Sequence, residues 1–325
     1  KLLTIIESMA RVVLNVCGIK SKGGITVLDN FLKNNSNLDL FIIYDNLDLE
    51  NYVSKYKNQF IRVPRFCHPF LNFFINKNLK EIINNYENII HFGNIAFKTK
   101  IYSHTFIQNI LPLVEPTSSL RNFLLRIFYS YSFRISDEII VQQEHVTKRI
   151  PKNVKVKIIG SVNFSNISKS KNSSFVIIYE NIKNKNPNFT FELINELSKL
   201  DYKINVIDPE DDFSNLYIKN SLNEKLNVFS NLNHSELLNT FKESLTYIHT
   251  SKHETVGLPI YEALANGLNV VVPNQEYFKF DTDNIYKYKL NDLNSAIEAC
   301  KNSLINDSET ASVPIYYEDW NLNFQ

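Results

Sequence analysis

Glycine is scarce in this chain, with seven in 325 residues beside ten prolines, three cysteines, one methionine and one tryptophan. Gly18, Gly23 and Gly24 do not form Gly-x-Gly-x-x-Gly, which excludes a dinucleotide fingerprint and weighs against a Rossmann oxidoreductase. Cys17, Cys67 and Cys300 are widely spaced and odd in number. They fit neither a disulfide framework nor a zinc-ligand pattern, and they point to a reducing, cytoplasmic setting. Nowhere do eighteen apolar residues run together, so no membrane-spanning helix is expected. The opening KLLTIIESMARVVLNV has the look of a secretory signal, but Glu7 and Arg11 interrupt its apolar run. No arginine follows Arg149. An anion bound by the second half must therefore be met by lysine or by backbone amides, not by a guanidinium fork.

Hydrophobic content of 44% and charged content of 21% describe an ordinary globular protein, and the length suits two domains of about 150 residues. The net charge of +1 hides an asymmetry. Residues 1–155 hold 20 Lys and Arg against 12 Asp and Glu, a balance of +8, and residues 156–325 hold 15 against 22, a balance of −7. Basic residues interleave with Phe, Leu and Tyr in Arg62–Lys80 and Leu120–Arg134. That composition suits an anionic membrane surface, although ordinary amphipathic helices share it. No nucleic-acid partner is expected.

Short apolar runs alternate with helical patterns, the sequence form of parallel α/β units. In the first half VVLNV, LFIIY, FIRV, NIIHF, HTFIQ and EIIV read as strands, with helices over Gly24–Lys33 and Leu120–Phe133. In the second half SFVIIY, INVI, LNVF, LTYIHT and NVVV repeat the scheme. Polar, aperiodic Gly160–Ser174 reads as a linker. The expected organisation is an N-terminal domain over 1–158, a linker over 159–173, a C-terminal domain over 174–305 and a tail over 306–325 returning to the first domain. No repeat of solenoid period is visible.

The stretch SKHETVGLPIYEALANGLNVVVPN, residues 251–274, carries the chemistry. A buried strand runs into a loop bearing Glu254. Gly257 then permits a tight turn, and Pro259 sits in the first turn of a helix, where its missing N–H costs nothing. The amides of Val256, Gly257 and Leu258, backed by the helix dipole, would make an anion site suited to a diphosphate. Glu262, three residues past Pro259 and so expected still in the first turn, could accept two ribose hydroxyls, and Glu254 could reach a hexose. In a plainer reading Glu262 favours the helix dipole and Gly267 is a C-cap, which leaves Glu254 without a reason.

Glu-x7-Glu around Gly-Leu-Pro, followed by Glu-Ala-Leu-Ala-x-Gly and a Val-rich strand, closely resembles the signature of retaining family 4 glycosyltransferases of GT-B fold. The resemblance implies an α/β architecture in which two Rossmann-like, doubly wound parallel-sheet domains face each other across a cleft. It implies Glu254 and Lys185 as catalytic residues. Donor contacts would come from Glu262, Thr255, Val256, Gly257, Leu258, Lys183, Asn231 and Gln108, with Gly23 and Gly24 as a phosphate or acceptor loop. The family's usual basic pair meets VIIYENIKNKNPNF here, where Glu180 or Asn181 replaces the arginine and Lys185 or Lys183 remains. Gln108 in HTFIQNILPL stands where many relatives have a histidine; it can hydrogen-bond a hydroxyl but cannot act as an acid or base. His145, in EIIVQQEHVTKRI, reads as a packing or surface residue. NHSELL reads as a helix start with a capping box, and Ser230-Asn231-Leu232 before it would lie near the base.

Similarity to bacterial surface-polysaccharide (O-antigen or capsule) enzymes implies a nucleotide-sugar donor and a polyprenyl-diphosphate-linked saccharide acceptor. The enzyme would act at the inner face of the cytoplasmic membrane. No cofactor and no metal are expected, and Asp281-Thr-Asp283 is too common a string to count. A catalytically silent partner of another transferase and a GT-B sugar-nucleotide epimerase remain as alternatives.

Overall fold

In the computed structural model the apolar runs become two parallel sheets. The structure describes residues 10–19, 21–55, 59–64, 76–115, 120–168, 173–200, 202–217, 225–305, 310–320 and 322. The first sheet holds β1 (Arg11–Asn15), β2 (Asp39–Tyr44), β3 (Gln59–Arg62), β4 (Asn88–His91), β5 (Tyr102–Ile107), β6 (Glu138–Val141) and β7 (Val156–Ile158). Its order is β3-β2-β1-β4-β5-β6-β7, and the pairings are parallel. β8 (Gly160–Ser168) follows. The second sheet holds β9 (Phe175–Ile178), β10 (Ile204–Asp208), β11 (Leu226–Ser230), β12 (Thr246–Ile248), β13 (Asn269–Pro273) and β14 (Ile285–Tyr288), ordered β11-β10-β9-β12-β13-β14 and also parallel. β15 (Thr310–Glu318) pairs with β8 in a separate two-stranded sheet.

Strands covered on both faces carry continuous apolar runs, and the residues of β4, β6, β12 and β13 are all buried. In the second sheet Phe175 and Ile177 of β9 face Leu193, Ile194 and Cys300 of helices Pro187–Lys199 and Leu293–Ser303. Val176 faces Phe241, Ile260 and Leu264 of helices His234–Lys242 and Leu258–Ala265 on the other side. Period-two alternation thus supplies both faces from one strand. Cys17 and Cys300 are buried free thiols.

The chain divides into one compact unit of Lys1–Ser161 with Glu318–Gln325 and another of Val162–Tyr317. Within the first, Trp320 is buried against Phe31, Phe92 and Phe106, with ring centroids 5.1, 5.5 and 5.0 Å away. The second unit is longer at both ends than the 174–305 expected from sequence, because Gly160–Ser168 is a strand and not an aperiodic linker. Its alternation is faint, since a two-stranded ribbon buries little, although Val162 and Ile167 do pack onto the second core. β7, β14 and β15 are also absent from the sequence reading. Residues 65–75, with Arg65 and Cys67, lie outside the described residues, as does the Arg121 side chain.

Candidate functional site

In doubly wound sheets the ligand crevice opens at the carboxyl ends of strands where the strand order reverses. In the second sheet that point lies between β9 and β12. The segment after β9 turns through a 3-10 helix at Lys183–Lys185, and the segment after β12 carries Glu254. They meet there. Lys185 Nζ lies 2.7 Å from Glu254 Oε1 and 3.4 Å from Glu180 Oε2. The two segments are tied by backbone as well: Lys252 N donates to Asn184 O, Asn184 Nδ2 to His253 O, and Thr250 Oγ1 to Lys185 O. Asn186 ends the 3-10 turn in the left-handed region at φ 62° and donates to Asn291 Oδ1, which fixes where Lys185 stands.

Burial disfavours the Lys185 ammonium, yet the attraction of Glu254 and then Glu180 more than offsets it, so the lysine is held above its usual range. Burial likewise opposes the Glu254 charge, but Lys185, His249 and hydrogen bonds from Lys185 and Ser251 hold its carboxyl below the usual range. With Glu180 the cluster carries two carboxylates on one ammonium.

Beyond Glu254 the chain passes Thr255 and buried Val256 to Gly257, whose φ of 75° is left-handed and where an added Cβ would meet Ile260 Cδ1 at 3.0 Å. Helix Leu258–Ala265 begins there without a side-chain cap and with Pro259 in its first turn, as the motif leads one to expect. Glu262, however, is not in that first turn but in the next, since the helix starts at Leu258 rather than Pro259. Its Oε1 lies 3.0 Å from His234 Nε2, at the start of helix His234–Lys242. The Asn233–Glu236 capping box is present there. Gly267, at φ 82°, follows Glu262's helix, and Leu268 N donates to Ala263 O as in a Schellman end.

The other expected residues are more dispersed. Lys183 is exposed on the 3-10 turn, and Asn231, at φ 55°, is exposed just after β11 with Nδ2 3.4 Å from Asp211 Oδ2. In the first unit the order reverses between β1 and β4. Gly23 and Gly24 do not form a loop ahead of the helix there, as the resemblance implied. They lie inside Lys22–Asn34, because Ser21 caps it by accepting from Gly24 N. A Cβ on Gly24 would meet Gln108 Oε1 at 2.9 Å, so these two residues adjoin. Asn94, at φ 70°, accepts from Gln108 N and Asn109 N and holds that loop. His145 is buried. Asp281 pairs with Lys287 at 2.7 Å, and among the described residues no three His, Cys, Asp or Glu side chains group as metal ligands.

Sequence reasoning missed His249 and Tyr247. Tyr247 Oη lies 3.0 Å from His249 Nδ1, and His249 Nε2 lies 3.7 Å from Glu254 Oε1. Burial lowers the His249 imidazole to about 4, Glu254 opposing and Lys185 assisting, so at neutral pH the ring is uncharged and its approach to Glu254 is not an ion pair. The only sequence signal was their i, i+2 spacing inside the apolar run SLTYIHT.

Residues 161–279 match the family described as Glycosyl transferases group 1. No curated protein matches the sequence significantly. Among solved structures, sucrose-phosphate synthase from Thermosynechococcus elongatus aligns with TM-score 0.68 at 11% identity over 91% of this chain and 90% of its own. HepE from Anabaena, in complex with UDP and glucose, gives TM-score 0.67 at 12% identity over 92% and 90%. UDP-GlcNAc 2-epimerase from Methanocaldococcus jannaschii gives 0.57 at 13% identity over 92% and 94%. These likenesses identify the fold as GT-B, with two Rossmann-like α/β domains. With that fold, the group 1 match over residues 161–279 supports a glycosyltransferase.

Proposed function

We propose that the protein is a retaining glycosyltransferase that moves a sugar from a nucleoside-diphosphate sugar to a polyprenyl-diphosphate-linked saccharide in surface-polysaccharide assembly. The observation that carries this reading is the Lys185–Glu254 pair at the β9/β12 strand-order reversal, beside the uncapped helix start at Gly257. Diphosphate oxygens would take the Val256–Leu258 amides, and Lys185 would meet the charge that develops on the leaving phosphate. Glu254 would orient the transferred sugar, and Glu262 the ribose. Departure and attack on the same face would let the leaving phosphate take the acceptor proton, so the protein supplies positioning and charge rather than an acid–base pair. Amides and Lys185 together would make a metal unnecessary. HepE is described with UDP, which makes UDP-sugars the first donors to test. Release of nucleoside diphosphate from UDP-, GDP- or dTDP-sugars, undiminished by EDTA, is the expected result. No release from any of them would reject transfer in favour of a catalytically silent partner, for which Gln108 and the missing arginine speak. A free sugar nucleotide recovered as its C2 epimer would favour an epimerase, whose fold is shared.

A membrane-bound acceptor is favoured by one further observation. On helix Leu120–Ile135, Leu120, Phe123, Leu124, Ile127 and Phe128 are exposed at helical spacing, forming one apolar stripe on the unit of basic composition. Such a helix would lie on the anionic inner leaflet. Cosedimentation with phosphatidylglycerol vesicles at low salt, weakened by Phe123→Glu with Ile127→Glu and released by salt, is expected. No capture at low salt would leave a soluble acceptor.

A further inference from the structure

We infer that His249 is a positioning residue for Glu254, delivering a fixed N–H dipole to the carboxylate that the proposed transfer needs. The inference rests on that reading for its catalytic meaning but not for its geometry. His249 is 4% exposed, and its Nε2 is a buried polar atom without a hydrogen-bond partner among the described residues. A buried polar atom of that kind is destabilising unless it is paired, and it calls for an explanation. Nε2 points to Glu254 Oε1 at 3.7 Å, too far for a hydrogen bond and close enough for a strong charge–dipole contact.

The groups around the ring choose its tautomer. The Tyr247 hydroxyl, 3.0 Å from Nδ1, is wholly buried, and its proton is held far above the usual phenol range by burial and then by Glu254. With the Tyr247 hydroxyl donating to Nδ1, the ring proton sits on Nε2 and faces Glu254, which is the arrangement the inference assigns. The opposite tautomer would set a lone pair against the carboxylate. Tyr277 packs edge-on against the ring at 5.9 Å and donates its own hydroxyl to Ser251 O, and Tyr288 donates to His249 O. Lys185 meets the same Glu254 oxygen and also bears on His249, and Glu180 and Glu262 bear on Tyr247. Glu254 Oε1 is thus approached by two nitrogens, an ammonium at 2.7 Å and a neutral imidazole nitrogen at 3.7 Å. A contact of the second length can tighten when a sugar draws the carboxylate inward, as catalytic hydrogen bonds often do on binding.

Two measurements on the full chain test this. Long-range 1H–15N correlation spectra of the imidazoles, with the His249 signal identified by its loss in His249→Gln, should report an Nε2–H tautomer from pH 5 to 8. An Nδ1–H tautomer overturns the inference whatever the protein transfers. In steady-state assays with a sugar nucleotide the wild type turns over, His249→Leu should lower kcat by about tenfold or more. Donor KM and the Kd for the matching nucleoside diphosphate should stay within about twofold, and His249→Gln, which restores an N–H, should recover part of the loss. Equal losses in the Leu and Gln variants, or a loss confined to nucleotide affinity, would mean that the imidazole only fills space. Tyr247→Phe, which keeps core volume, provides a second variant with the same expected kcat loss should His249→Leu unfold. A wild type inert toward every donor would reject the transfer reading while the tautomer still decides the inference.

Discussion

The Lys185 ammonium sits 2.7 Å from Glu254 Oε1 and 3.4 Å from Glu180 Oε2, so one cation serves two carboxylates that leave different strands. Removing it strands both. Lys185→Ala should lower turnover roughly 10²-fold, as for a lost electrostatic stabiliser, and should lower Tm measurably. Lys185→Met with Glu180→Gln and Glu254→Gln should restore much of the Tm but none of the turnover, because breaking an ionic cluster costs more than replacing it. Lys183→Ala, at an exposed site, should change either quantity little; the reverse ranking would move the role to Lys183.

Glu262 and Glu254 should separate in their effects. Glu262→Ala is expected to weaken nucleoside diphosphate binding by titration calorimetry, and Glu254→Ala to cut turnover while leaving that affinity nearly intact. His234 holds Glu262 at 3.0 Å, so His234→Ala should alter nucleotide affinity without reaching the loss seen in Glu262→Ala. Full activity in both glutamate variants would discard the assignment.

Two glycines of the first unit should respond differently to alanine. At Gly24 the new Cβ meets the end of the Gln108 side chain at 2.9 Å, which can turn aside. At Gly93 it meets the Cys17 carbonyl oxygen at 2.0 Å, which cannot. Chemical denaturation should show Gly93→Ala as the more damaging, at or beyond the ~1–3 kcal/mol of an overpacked site. Gln108→Ala should relieve Gly24→Ala in part, since Ile19 Cγ2 and Ser21 Oγ remain at 3.1 Å, and should leave Gly93→Ala unchanged.

Acid should unfold the protein in two stages at the site. His249 protonates at about 4 in the folded chain against 6.5 unfolded, so its contribution is complete above pH 6.5 and is lost as pH falls toward 4. The full loss is about 3 kcal/mol. Glu254, held below its ordinary 4.5, contributes above that value and fails at still lower pH. Wild-type Tm should therefore fall between pH 6.5 and 4, and His249→Gln should flatten that part of the curve. Equal slopes would assign the acid loss elsewhere.

The strands of both sheets were legible because parallel strands covered on two faces are written as unbroken Val, Ile and Leu runs, and VVLNV, EIIV and NVVV lie within a residue or two of β1, β6 and β13. The Gly257 turn and the Asn233 cap were legible because each rests on local backbone chemistry. β8 was not, since more than half of its residues lie in solvent and only Val162 and Ile167 carry its contact with the core. The contact of Lys185 with Glu254 was not either. It comes from strand order, which brings residues 69 apart to one sheet edge and leaves no trace in local pattern. Gly24 was singled out as a loop glycine when it lies inside a helix and is constrained by Gln108, Ile19 and the capping Ser21.

Trp320 completes the aromatic nest of Phe31, Phe92 and Phe106 in the unit that begins the chain. During synthesis that nest must therefore wait for the whole of Val162–Tyr317 to be made, on the order of 8–30 s at ~5–20 residues per second. The later-made unit is contiguous and can close first. Until the tryptophan arrives, three large rings in the earlier unit lack their lid, an interval in which a nascent chain of this protein would be a natural client for chaperones that bind exposed aromatic surface.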